Sequence, residues 1–68
     1  MAKRLLTYIY DVSSDGRVVI SGGELESETG RCRMCASCDS ESVAQECRMY
    51  CGREVYVDIS GSTILAIG

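Results

Sequence analysis

The chain has no histidine, no tryptophan, no phenylalanine and no proline. Without histidine it has no side chain whose ordinary pKa makes it a base near neutral pH, and no nucleophile stands beside an identifiable activating partner. The expectation is a protein that is not an enzyme. Without phenylalanine and tryptophan, the core must be assembled from valine, isoleucine, leucine and four tyrosines. Without proline, no turn is fixed by a ring. Long apolar runs are also missing, and none approaches the roughly 20 residues of a membrane-spanning helix. Met1 to Arg4 followed by Leu5 to Tyr10 imitates a secretion signal. The run is too short, Thr7 interrupts it, and no small-residue cleavage site follows. The reading is therefore cytoplasmic, with no membrane contact.

What is present bounds the architecture. A chain of 68 residues forms a single domain, 1–68. Folding can remove only roughly 60% of the surface that the unfolded chain of such a domain exposes, so a staple is expected. An apolar content of 46% argues against disorder. The net charge of −3 makes direct nucleic-acid binding a poor expectation, because that affinity comes from Lys and Arg neutralising phosphates. An acidic chain is better suited to a protein partner with a basic surface.

Alternation predicts a strand over Leu5 to Val12, with Leu6, Tyr8, Tyr10 and Val12 on one face and Leu5, Thr7 and Ile9 on the other. Ser13-Ser14-Asp15-Gly16 is a hairpin turn and Arg17 to Ser21 the returning strand. Gly22-Gly23 reads as a bulge or bend rather than an end, with Glu24 to Thr29 continuing the strand and Leu25 facing away from the glutamates. Asp39 or Ser40 can cap a helix running to about Cys51, and Ser42 with Gln45 is a second capping pair. Its inner face is Val43, Cys47 and Tyr50 or Cys51, and Gly52 suits the position after its end. Glu54 to Ile59, a turn at Ser60-Gly61-Ser62, and Thr63 to Ile67 form a closing hairpin. The expected fold is α+β: hairpin, cysteine loop, one helix, hairpin, with a small antiparallel sheet of four or five strands packed on that helix.

Five cysteines follow the order Cys32-x2-Cys35-x2-Cys38-x8-Cys47-x3-Cys51. Cys32-x2-Cys35, eleven residues, then Cys47-x3-Cys51 resembles the ligand spacing of a ββα zinc finger, with cysteine in place of histidine. A knuckle facing two cysteines at i, i+4 of a helix would supply four thiolates to a structural zinc, with Cys38 as an alternative ligand. Arg31, Arg33, Arg48 and Arg53 would lower the thiolate pKa values and balance the charge. Three other readings stand beside this one. Cys32-x2-Cys35-x2-Cys38 resembles the start of a ferredoxin ligand run, which gives a small iron–sulfur or redox protein, although no x3-Cys-Pro follows. The cysteines can also be reduced core residues. Disulfides are the fourth reading, and an odd cysteine count fits them badly.

Glu24, Glu26 and Glu28 alternate, so on a strand they would form an acidic stripe that docks on a basic partner, or simply a solvated face that discourages aggregation. Arg31, Arg33, Arg48 and Arg53 give the alternative of a zinc-finger-like nucleic-acid-binding or regulatory protein. Asp39, Glu41 and Glu46 would repel phosphate from such a helix.

By plan and size the chain resembles the small phage-encoded anti-CRISPR proteins. The resemblance rests on the segment Gly23-Glu-Leu-Glu-Ser-Glu28, a helix ending at Tyr50-Cys51-Gly52, and the closing hairpin from Val55 to Ile67. It implies stoichiometric binding to a CRISPR effector in the host cytoplasm, blocking its DNA or a nuclease partner, with Glu24, Glu26 and Glu28 as the contacts.

Overall fold

A computed structural model describes residues 2–68. The fold is α+β: β1 (Lys3–Val12), β2 (Arg17–Ser21), α1 (Leu25–Thr29), β3 (Arg33–Cys38), α2 (Glu41–Met49), β4 (Glu54–Ser60) and β5 (Thr63–Ile67). The strands close into a barrel in the order β1-β2-β3-β5-β4. All neighbours are antiparallel except β3 and β5, which pair in parallel over Ser37↔Thr63 and Cys38↔Ile64. The expected antiparallel sheet is thus a mixed one, because α2 carries the chain across the barrel end and β5 returns alongside β3.

β1 serves two neighbours. Lys3 to Tyr8 pair with β4, and Tyr8 to Val12 pair with β2 across a bulge between Ile9 and Asp11. Period-two alternation sends Leu5, Thr7 and Ile9 inward and Arg4, Tyr8 and Tyr10 outward, with Leu6 half-buried on the outer side. The core joins these inward residues to Val18, Ile20, Val57, Ile59 and Ile64. Leu25 of α1 and Val43, Ala44 and Cys47 of α2 are buried with them.

Three sequence expectations need correction. Glu24 to Thr29 does not continue β2. Gly22 and Gly23 lie at φ +69° and +57°, which ends the strand, and one helical turn follows with Leu25 as its buried residue. A lone apolar residue among glutamates fits one face of a helical turn as well as it fits a strand. Gly23 is needed for a second reason. A Cβ there would lie 1.9 Å from the Leu6 carbonyl oxygen. The close approach lets the Glu24 N–H donate to that oxygen at 2.7 Å.

The cysteine loop is the second correction: Arg33–Cys38 is a strand, with Ala36 buried and Met34 and Cys38 half-buried between exposed Arg33, Cys35 and Ser37. There are consequently two helices rather than one. The third concerns α2, which ends at Met49 with Tyr50 as its C-cap, short of Cys51. Ser40 is its N-cap, accepting from the Val43 N–H at 3.4 Å.

Thr7 is fully buried and its hydroxyl has no hydrogen-bond partner among the described residues. A buried, unpaired hydroxyl costs about 1–3 kcal/mol. Thr7→Val keeps the shape and removes that cost, so it should stabilise the barrel by about 1 kcal/mol in urea unfolding. A loss of stability would show that the hydroxyl is satisfied.

Candidate functional site

The cysteines divide between the inside and the outside of the barrel. Cys32 and Cys35 are exposed, Cys38 is half-buried, Cys47 is buried and Cys51 is exposed. The cause is the strand. Residues three apart in extended backbone point to opposite faces, so the x2 spacing that converges in a knuckle diverges along β3. Cys35 faces out and Cys38 faces in. Cys38 packs against the core cluster that includes Cys47 of α2. Burial pushes the Cys38 thiol up, and burial with the neighbouring Cys38 pushes Cys47 to about 12. Both are protonated core residues at neutral pH and poor nucleophiles. Cys51 lies beyond α2, with its Sγ 3.8 Å from the Tyr10 carbonyl oxygen.

Cys32, Cys35, Cys47 and Cys51 therefore do not meet at one point in this arrangement. Among the described residues, no group of three or more His, Cys, Asp or Glu side chains is placed to hold a metal ion. In this arrangement Cys47 faces the core and Cys32, Cys35 and Cys51 face solvent.

The glutamates form no stripe either. The Glu24 carboxylate accepts from the Leu6 N–H at 2.9 Å, and Glu28 pairs with Lys3 at 3.1 Å. Both tie α1 to the start of β1, and Glu26 is exposed. Of the arginines, Arg48 bridges to Glu41 at 3.1 Å and donates to the Ser13 and Ser14 carbonyls, fastening α2 to the β1–β2 turn. Arg31 and Arg53 are exposed.

What the sequence reading passed over is the outer face. Tyr10, Tyr56 and Tyr8 are 53%, 45% and 37% exposed. The register sets Leu6 opposite Tyr56, and Tyr8 opposite Ser21, which in turn faces Arg33. The Tyr8 and Tyr10 rings meet edge to face at 6.5 Å. The Arg33 guanidinium lies 4.6 Å over the Tyr10 ring, and that of Arg4 lies 5.2 Å over Tyr56. Arg4 is also 3.5 Å from Asp58 and donates to the Gly68 carbonyl. The rings and guanidiniums thus form two groups on this face, Tyr8–Tyr10–Arg33 across β1 and β3 and Arg4–Tyr56 across β1 and β4. The signal was in the alternation of Leu6, Tyr8 and Tyr10; knowing which face was solvent required the barrel.

No protein-family model, curated protein or solved structure matches the chain.

The cysteine arrangement predicts a graded response. Cys47→Ser places a hydroxyl in the core and should cost about 1–3 kcal/mol, whereas Cys32→Ser and Cys35→Ser should stay within about 0.5 kcal/mol of the parent. Equal, large losses at all of Cys32, Cys35, Cys47 and Cys51 would instead mark a shared metal. The pH dependence has a fixed sign. The folded Cys47 thiol keeps its proton above its ordinary value of 9.0, up to about 12, while the unfolded thiol loses it. Stability should fall as pH rises across that window, less steeply in Cys47→Ala, as read by unfolding at a series of pH values.

Proposed function

We propose that this chain is a non-enzymatic protein-binding module that docks through the outer face built by Tyr8, Tyr10, Tyr56, Arg4 and Arg33. The observation that carries this reading is the Arg33 guanidinium stacked on the exposed Tyr10 ring. Tyrosine and arginine are the residue types that dominate binding energy at protein interfaces. Here their rotamers are restrained before any partner arrives, which lowers the ordering cost of association. The face is carried on strands, so its positions are fixed by the barrel rather than by loops.

The specific form proposed is a phage-type inhibitor acting in the cytoplasm, in the manner of the anti-CRISPR proteins that the chain resembles. It would bind a CRISPR effector in stoichiometric amount and block its DNA or nuclease engagement. The contacts move from Glu24 and Glu28, which are engaged within the fold, to the tyrosine–arginine face. Glu26, exposed and without an ion pair among the described residues, remains available to a basic group on the partner.

A second reading draws on the same face. Five-stranded Greek-key barrels of the OB type bind oligonucleotides on the outer side of their second and third strands, using aromatic rings on which bases stack. The strand order here and the Arg33–Tyr10 stack favour it. The net charge of −3 opposes it.

One pair of experiments separates the two. Tyr10→Ala and Arg33→Ala should keep the parent's thermal unfolding and weaken effector binding by at least about tenfold, the scale of an interface anchor. Unchanged binding in both variants would remove this face from the proposal. Binding to a single-stranded oligonucleotide that collapses as salt rises would favour the second reading.

A further inference from the structure

The barrel closes through only two residue pairs between β3 and β5. What lies beyond that short seam is an open strand edge. The Ser37 N–H donates to the Ser62 carbonyl on the β5 side at 2.8 Å, and the Cys38 N–H donates to the Gly16 carbonyl on the β2 side at 3.0 Å. Backbone groups alternate sides along a strand. The N–H and C=O groups of Arg33 and Cys35 therefore point the same way as those of Ser37, away from β2. The pairing with β5 stops at Ser37, and among the described residues no other backbone group reaches them. They form a run of free donors and acceptors, the template on which an extended chain adds as a strand.

The β3–β5 register, continued past Ser37, would set Cys35 opposite Gly61, and Gly61 lines a cavity. It has a volume of about 180 Å³ and is lined by Lys3, Leu5, Glu28, Thr29, Ile59 and Gly61. Thr29 closes α1, just before the chain enters β3, and Gly61 lies in the turn leading into β5. The cavity thus sits between the two segments that the seam leaves unjoined. Its floor is Leu5 and Ile59, and the Lys3–Glu28 ion pair stands at its rim. Apolar cavities of about 150 Å³ take up a molecule the size of benzene, so this one has room for an aliphatic side chain.

Charge specifies the rest of the occupant. Arg31 precedes the edge, exposed and with no carboxylate within salt-bridge distance among the described residues, whereas the Arg33 guanidinium is turned across β2 to Tyr10.

We propose that the free edge of β3 takes up an extended segment of the protein partner as an added strand. The segment carries an aliphatic side chain turned into the cavity and a carboxylate turned outward beside Arg31. This rests on the protein-binding reading above and adds the chemistry of the partner. Main-chain hydrogen bonds to Arg33 and Cys35 would supply affinity, and the cavity would supply selectivity.

The test is amide hydrogen exchange by NMR on the intact protein, alone and with a synthetic peptide of alternating valine and glutamate. In the free protein, the Met34 and Ala36 amides should be protected by β2, and those of Arg33 and Cys35 should exchange quickly. Saturating peptide should slow exchange at Arg33 and Cys35 by about tenfold or more. Cys35→Pro deletes only the outward N–H, at an edge position where proline is tolerated, and should abolish that protection. Arg31→Glu tests the charge without touching the backbone and should weaken peptide binding by about fivefold. Peptide that binds without protecting Arg33 and Cys35, or that does not bind, overturns the proposal; the Tyr10 and Arg33 variants still decide the face reading separately. Protection that grows with protein concentration in the absence of peptide also overturns it, assigning the edge to a second copy.

Discussion

The fold depends on a short parallel contact. Two residue pairs between β3 and β5, reinforced by the Ser37 N–H to Ser62 and the Asp39 N–H to Ile64 carbonyl, turn a five-stranded sheet into a barrel. Closure gives every strand a single inner face and lets a chain without phenylalanine or tryptophan bury a continuous aliphatic core. It also positions α2. The helix starts directly after the seam, with Ser40 as its cap, and lays Val43, Ala44 and Cys47 over the barrel end. The cysteine reading turns on the same contact, because β3 must be extended to reach β5, and extension separates Cys35 from Cys38.

The proposed function rests on the outer side of the same barrel. Each inward Leu5, Thr7 and Ile9 commits its neighbours in β1 to solvent, and there the chain carries tyrosines rather than the lysines and glutamates of an inert surface. Arg4 and Arg33 lie over two of those rings. A charged surface needs no such order, and interface anchors benefit from it. The α1 turn contributes indirectly. Its Glu24 and Glu28 are used in holding the helix to β1.

Much of the fold was legible in the sequence. β1, β2, α2, β4 and β5 follow from alternation, from Asp15-Gly16, and from the Ser40 cap before an apolar helical face. Glu24 to Thr29 was ambiguous in principle, since one leucine among alternating glutamates has no period of its own. β3 was hidden by its cysteines, whose spacing has a strong chemical meaning in a loop and none in a strand. The parallel pairing of β3 with β5 is a contact between segments distant in the chain, and no local pattern encodes it. The tyrosine–arginine face was half visible: the rings could be placed on one side of β1, but the partner positions of Tyr56, Arg4 and Arg33 depend on register.

We propose that barrel closure and an aliphatic core suffice to keep this small chain folded. Native mass spectrometry of protein purified without added metal, with thermal unfolding before and after a chelator, tests that most directly. The expected result is the bare chain mass and a cooperative melting transition that the chelator leaves in place. A mass increment of one zinc ion, with unfolding when it is removed, would contradict it and return Cys32, Cys35, Cys47 and Cys51 to the centre of the structure.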